Sequence, residues 1–466
     1  MITAIALDLG STSIKAGLLD RQGYLSGIVA QPAPAINAVG GHYESDALSY
    51  AATADQVLNT CVSKTDGLPR LGLCSQRSSF LIWEQASGKP LTPLISWQDN
   101  RGAASCIALH AQEPLITGLT GLRLTPYYFA PKLRVLLQEN PNWLAGLMRG
   151  ELLVGTLDTF LIWRWTGGKQ LITDVSMAAR TLLMDIHQQQ WSAVLCDLFN
   201  VPLHILPTIK PSTGMNIHLI NGLTLQASLG DQSAALVASV GEKSEVALVN
   251  LGTGGFVIRY LADSSRSTGG YLRTLVYQDR AQYAHIAIEG TLNSIAAALA
   301  PYPVGECKLE EMAAMDNIFC LAEPSGLGAP YFRNDLGLQF SGPVDLLTHR
   351  QIACLLLEAI IFRVARIVED FHGDAEIKQV YLSGGLSELR VLQQGIAQCI
   401  TLNNPACEVF RLQQRDASLQ GAAMLAAGTT QARQQDAERI LFTDENKALR
   451  EKYRRWKHWL DALLEA

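Results

Sequence analysis

The stretch Ala6-Leu7-Asp8-Leu9-Gly10-Ser11-Thr12-Ser13-Ile14-Lys15 decides how the rest of the chain is read. Ile5, Leu7 and Leu9 alternate on one face, the period of a strand with one side in a core, and the apolar run resumes from Ile14 to Leu19. A short Gly/Ser/Thr segment between two such runs predicts a tight hairpin that presents backbone N–H groups. Gly10 allows close approach because it has no Cβ. Ser11, Thr12 and Ser13 add hydroxyls, Lys15 adds a cation, and Asp8 is suited to hold magnesium through water. An ordinary β-turn uses the same residue types, so this hairpin alone leaves both readings open.

The pattern recurs halfway along the chain. Val246 to Tyr260 reads V-A-L-V-N-L-G-T-G-G-F-V-I-R-Y, and Val249-Asn250-Leu251-Gly252-Thr253 lies over Leu7-Asp8-Leu9-Gly10-Ser11 type for type. A repeat at that spacing predicts two related halves, each opening on its own phosphate-style hairpin, and favours nucleotide binding over a plain turn. Strand and helix patterns alternate between and after the hairpins, which makes the chain α/β. The expected domains are 1–240 and 241–466, the second with a charged amphipathic helix from Asp436 to Leu464. Other phosphate-binding designs are excluded. G-x-x-x-x-G-K-[ST] is absent, Val257 stands where the dinucleotide fingerprint needs glycine, and neither H-R-D nor D-F-G of the protein kinases occurs.

Composition narrows the partners. With 466 residues, 48% hydrophobic, the chain can bury two sizeable cores. Its 37 basic against 43 acidic residues, a net charge of −6, argue against a general nucleic-acid binder. Nine scattered cysteines, none in C-x-x-C spacing, predict neither a disulfide framework nor a zinc site. No apolar run is long enough to span a bilayer, so a soluble cytoplasmic protein is expected.

Three further segments carry candidate chemistry. In Gly230-Asp231-Gln232-Ser233, a carboxylate opens a small-residue helix, where it serves either as an N-cap or as a general base. Its place at the end of the first half, where an interdomain cleft is expected, favours the base. Gln76-Arg77 and Trp97-Gln98-Asp99 follow predicted strands with groups suited to hydroxyl recognition, though each also suits a satisfied surface position. Cys74 sits in an apolar strand and reads as core.

In order along the chain, these motifs resemble the FGGY carbohydrate kinases, the family of glycerol kinase, xylulokinase and gluconokinase. The resemblance rests on A-L-D-L-G-S-T-S-I-K (Ala6 to Lys15), G-L-C-S-Q-R (Gly72 to Arg77) and W-Q-D-N-R (Trp97 to Arg101). It continues through T-G-L-R-L-T-P-Y (Thr120 to Tyr127), G-D-Q-S-A-A-L (Gly230 to Leu236), the second hairpin, S-G-L-G-A-P-Y (Ser325 to Tyr331) and S-G-G-L-S (Ser383 to Ser387). It implies two actin-like, ribonuclease-H-like domains with a catalytic cleft between them, and transfer of the γ-phosphate of ATP, with Mg2+, to a sugar, ketose or sugar-acid hydroxyl. Carried onto this chain, it makes Asp8 the magnesium-side carboxylate and Asp231 the general base. Gly10, Ser11, Thr12, Ser13 and Lys15 on one side, and Gly252, Thr253 and Gly254 on the other, would hold phosphates. Gly384 and Gly385 would lie beside the adenosine, and Arg77, Trp97, Gln98, Asp99, Tyr127 and Gln232 would contact the acceptor. A homodimer is compatible with it.

Glycerol kinases follow Gln-Arg with an acidic residue and xylulokinases with histidine, whereas this chain has Ser78. Arg77 and Tyr127 keep a glycerol or polyol kinase as an alternative, although Ser78 speaks against it. Ala296 and Ala300, where the family usually has glycine and glutamine, motivate a third reading, an actin-like nucleotide-binding regulatory protein without kinase activity.

Overall fold

A computed structural model describes residues 1–262, 269–413, 416–431, 437–442 and 446–465. The chain forms two compact units. The first comprises Met1–Gly241, Arg273–Ile286 and Asp416–Arg433, and the second Glu242–Leu272, Ala287–Arg415 and Gln434–Ala466. Two segments from beyond residue 240 thus fold with the first unit.

In the first unit, β1 (Ile2–Leu9), β2 (Ser13–Asp20) and β3 (Leu25–Pro32) form an antiparallel meander. β4 (Arg70–Ser75) then pairs parallel to β1, and β5 (Thr224–Gly230) parallel to β4. The central order is therefore β3-β2-β1-β4-β5. Apolar residues of β1, β2 and β4 bury one face of this sheet against Ala47–Val62, a helix capped by Asp46, which accepts a 2.5 Å bond from Ser49 N. Helix Ala417–Ala427, late in the sequence, also packs on β1 and β4.

The second unit repeats the plan. β6 (Val246–Leu251), β7 (Gly255–Tyr260) and β8 (Ala284–Leu292, in this unit from Ala287) are an antiparallel meander, and β9 (Gln379–Ser383) and β10 (Glu408–Leu412) extend it parallel to β6. The order β8-β7-β6-β9-β10 matches the first unit strand for strand, so the duplication read in the hairpins holds for the topology. Helix His349–Asp374 starts at a capping box, Thr348 with Gln351, and buries most of its length in this core.

One expected element is corrected. The helix expected from Asp436 starts at Lys447, because Ala437–Arg439 pairs instead as an edge strand on β10; Asp436 itself lies outside the described residues. Pairing with an available strand edge outweighs local helical periodicity here. Among the described residues, no helix is long and apolar enough to cross a membrane, and all nine cysteines are free thiols.

Candidate active site

Three parallel strands of the first unit end side by side: Leu9 of β1 pairs with Ser75 of β4, and Ser75 with Gly230 of β5. The residues that follow those ends are Gly10 to Ser13, Gln76 with Arg77, and Asp231. Parallel α/β sheets place ligands at such carboxyl ends, where backbone groups leave the ladder together. Cross-links fix the loops to one another. Gln76 N donates to Leu9 O (3.0 Å), and the buried Tyr50 hydroxyl donates to Gly10 O (2.7 Å). A Cβ on Gly10 would lie 2.8 Å from Ser13 O, so this hairpin closes only with glycine there.

A cavity of about 270 Å3 opens beside these ends, the scale of a small polyhydroxy molecule. It is lined by Ser11, Gln76, Arg77, Ser78, Trp97, Tyr127, Tyr128, Arg180, Asp231 and Gln232. Trp97 and Tyr127 form a tilted aromatic pair with ring centroids 6.1 Å apart. Arg77 donates to the Gln232 amide oxygen, and its Nε stands 3.8 Å from Asp231 Oδ1. Asp231 is the first residue of helix Asp231–Val240. Withdrawal of its carboxylate from water raises its pKa above the ordinary 3.8, against the pull of the Arg77 and Arg180 charges and a bond from Gln232 N. A carboxylate that is costly to keep ionised, facing a cavity that admits a small polyhydroxy molecule, is a candidate proton acceptor.

Asp8 lies near enough to Asp231 for their charges to interact. Burial pushes its pKa up to about 6; a 2.6 Å bond from Ser418 Oγ opposes that rise, and Asp231 adds to it. Its other oxygen, Oδ1, is buried without a hydrogen-bond partner among the described residues. Lys15 pairs with Asp8 across the hairpin, but its Nζ is held at 2.5 Å by Asp416, just before helix Ala417–Ala427.

The second unit has its own cradle. Gly252, Thr253 and Gly254 form the turn after β6, closed by Gly252 N donating to Gly254 O at 2.8 Å. β9 ends beside it, since Asn250 pairs with Ser383, and Gly384 follows at φ +87°. A Cβ there would fall 2.4 Å from Leu251 O, so only glycine lets the Gly384-Gly385 turn sit against the β6 end.

The first unit thus brings Ser11, Arg77, Trp97, Tyr127, Asp231 and Gln232 to one cavity. Gln98 is exposed and does not line it. Asp99 is corrected as an acceptor contact. It is fully buried, bound to Arg101 Nε at 2.7 Å and to Tyr43 N at 2.8 Å. Burial alone would raise its pKa, but these bonds win and hold it below the ordinary value. Arg180, Tyr128, Asp416 and Ser418 escaped the sequence reading, because no local motif marks a residue whose partner is far along the chain.

A repeated actin-like sheet with glycine turns at its strand ends and an acid beside a polar cavity fits a phosphotransferase. Family models agree. The FGGY family of carbohydrate kinases, N-terminal domain, matches residues 3–248, and its C-terminal domain matches residues 225–429. An apulose kinase of Pectobacterium atrosepticum is 31% identical over 97% of this chain and 96% of its own. A glycerol kinase of Nitrosomonas eutropha is 34% identical over 80% of this chain and 78% of its own. In fold, the chain is similar to the Plasmodium falciparum glycerol kinase solved with ADP (TM-score 0.83, 21% identity, 99% of this chain and 98% of the other). It is equally similar to a xyloylose kinase from Brucella ovis (TM-score 0.83, 20% identity, 98% of each chain). The chain belongs to the FGGY family of carbohydrate kinases, and is a phosphotransferase with an alcohol group as acceptor.

Proposed function

We propose that this kinase transfers the γ-phosphate of ATP to a hydroxyl of a small ketose, bound in the cavity of the first unit with Asp231 as general base. The observation that carries this reading is Asp231 itself, directly after the end of β5 at the cavity wall beside Arg77, Gln232 and the Trp97–Tyr127 pair. The end-to-end match to an apulose kinase favours a ketose. Several glycerol kinases of similar identity make glycerol the second reading. Against glycerol stands Ser78, which brings no carboxylate to the cavity and instead donates its hydroxyl to Arg180 O at 2.8 Å.

Phosphoryl transfer asks the protein chiefly for position and charge neutralisation. The turn Gly252 to Gly254, with Gly384 and Gly385, is assigned to the nucleotide, and Gly10, Ser11, Thr12 and Ser13 to the transferring phosphate. Lys15, steered by Asp416, supplies a fixed positive charge at the base of that hairpin. The donor set fits a magnesium ion carried with the nucleotide: Asp8 offers a buried, partnerless oxygen, and Mg2+ takes one or two protein carboxylates beside water and phosphate oxygens. When bound, it would neutralise phosphate charge. Asp231 accepts the hydroxyl proton as the new O–P bond forms and the bond from the γ-phosphorus to the β-phosphate oxygen breaks to release ADP, and Arg77 holds that carboxylate and the acceptor in place. The free, scattered cysteines support a reducing, cytoplasmic setting.

The test is ATP consumption over a panel of ketoses, polyols and sugar acids. Ketose turnover supports the reading, preference for glycerol replaces it with the second, and nucleotide binding without turnover on any acceptor overturns it. With the acceptor known, Arg77→Ala is expected to raise its KM roughly 10–100-fold, the loss of a charged hydrogen bond worth about 1.5–3 kcal/mol. An unchanged KM would remove Arg77 from acceptor binding.

The pH dependence follows from the carboxylates. Both Asp8 and Asp231 have raised pKa values, Asp8 to about 6, and both must be ionised to work. kcat/KM for MgATP, which reports the enzyme before magnesium reaches Asp8, is therefore expected to fall as pH drops through about 6, a limb that belongs to the interacting pair. Because the Arg77 charge lowers the Asp231 pKa, Arg77→Ala should move that limb to higher pH. A profile flat down to pH 4.5 contradicts this.

A further inference from the structure

We infer that Lys132 is a positioning residue for the acceptor site, an internal cation that ties together the three segments forming its wall. The inference rests on the reading of this cavity as the acceptor pocket.

Lys132 is fully buried, in the first turn of helix Phe129–Glu139. Helical side chains lean toward the N-terminus of their helix, which carries the ammonium back past the helix start. There Nζ donates to three backbone carbonyls: Ser96 O at 2.9 Å, Tyr127 O at 3.0 Å and Ser78 O at 3.3 Å. An ammonium has three donors and here meets three acceptors. Each acceptor belongs to, or directly precedes, a residue that lines the cavity: Ser78, Trp97 after Ser96, and Tyr127. These segments come from separate parts of the chain, 54, 36 and 5 residues from Lys132.

The Phe80 ring lies 5.9 Å from Nζ, and the charged groups bearing on it are Asp99 and Arg101, themselves paired. Burial outweighs the pull of Asp99 and lowers the lysine pKa to about 7. A cation held at such expense is poor core material, since a well-packed apolar side chain of similar volume would do as well or better there. What an apolar side chain would not do is satisfy three carbonyls from three loops at once. The Ser78 end most needs holding, because its backbone is left-handed at φ +64° in a non-glycine residue. Lys132 touches no cavity surface. It acts through the carbonyls, setting the spacing of Ser78, the Trp97–Tyr127 pair and, one residue away, Arg77.

The experiment compares Lys132→Met and Lys132→Gln with the parent, after the panel has identified the acceptor. The expected result is an acceptor KM raised at least tenfold in Lys132→Met and less in Lys132→Gln, with the ATP KM within twofold and kcat falling less than KM rises. Lys452→Met is the stability control. It removes the second unit's buried lysine, paired to Glu358 at 2.5 Å, and should lower Tm without moving the acceptor KM. An unchanged acceptor KM in the folded Lys132 variants, or acceptor and ATP KM rising together, overturns the inference. If neither variant folds, the parent enzyme decides. Above pH 7 the amine has one N–H fewer for its three carbonyls, so the acceptor KM should climb from pH 6 to 8.5 at constant ATP KM, and a flat acceptor KM overturns the inference. A parent with no acceptor turnover at all instead removes the reading of the cavity on which this rests.

Discussion

Asp231→Asn is expected to reduce turnover about 10³-fold or more while leaving nucleotide affinity within twofold. The amide keeps the size of the carboxylate but cannot take a proton at neutral pH, and general base catalysis commonly contributes 10²–10⁴-fold. The glycines proposed for the nucleotide, Gly252, Gly254, Gly384 and Gly385, all belong to the other unit, so the loss should fall on the chemical step. The neighbouring Arg77 makes the measurement sharper. Its Nε stands 3.8 Å from Asp231 Oδ1, and an asparagine there no longer neutralises the guanidinium. Acceptor KM should therefore shift only modestly while kcat collapses. Turnover within tenfold of the parent would remove Asp231 as the base, and a parallel loss of ATP binding would mean the substitution damaged the fold.

Gly421→Ala should be the most damaging small change away from the cavity. Helix Ala417–Ala427 crosses helix Asp231–Val240 at Gly421, where an added Cβ would lie 1.9 Å from Ala234 O, and it lies on β4 at Gly72, where an added Cβ would lie 2.1 Å from Ala422 O. Backbone faces backbone on both sides, so no side chain can swing away and the helices must separate. Overpacking costs typically 1–3 kcal/mol, and a rigid backbone clash belongs at the upper end, about 3 kcal/mol. For a unit of this size that corresponds to a fall in Tm of roughly 5–10 °C. Activity should fall as well, at least tenfold. Ser418 and Asp416, which hold Asp8 and Lys15, lie within about one and a half turns of Gly421. The control is Gly373→Ala in helix His349–Asp374, where an added Cβ meets nothing within 4 Å and Tm should hold or rise. A Gly421→Ala protein with parental Tm and kcat would show that the helices separate freely.

Much of this molecule is legible in local pattern. Alternating apolar residues broken by Gly10 to Ser13 and by Gly252 to Gly254 announce two hairpins, and both units carry the same strand order behind them. The local arrangement makes Asp231, directly after a strand-ending glycine, and Arg77, after β4, candidates without deciding their roles; for Asp231 it is the place at the end of the first half that favours a base over an N-cap. The FGGY resemblance required only the order of such motifs. The charged C-terminal segment shows where local reading fails. Its helical periodicity extends back to Asp436, yet Ala437–Arg439 serves as a strand, because the free edge of β10 offered its backbone a partner.

By itself, then, the amino-acid sequence determined the elements, their duplication and the chemistry of the residues that follow each strand end, since turns and strand periods are written in neighbouring residues. Only the tertiary structure decided whom those residues meet. Lys15 faces Asp416 across 401 residues of chain, Asp99 turns inward to Arg101 and Tyr43, Arg180 enters the cavity, and Lys132 gathers three carbonyls beneath it. Each of those pairings is fixed by how helices and loops stack around a buried sheet, and packing of that kind has no period along the chain.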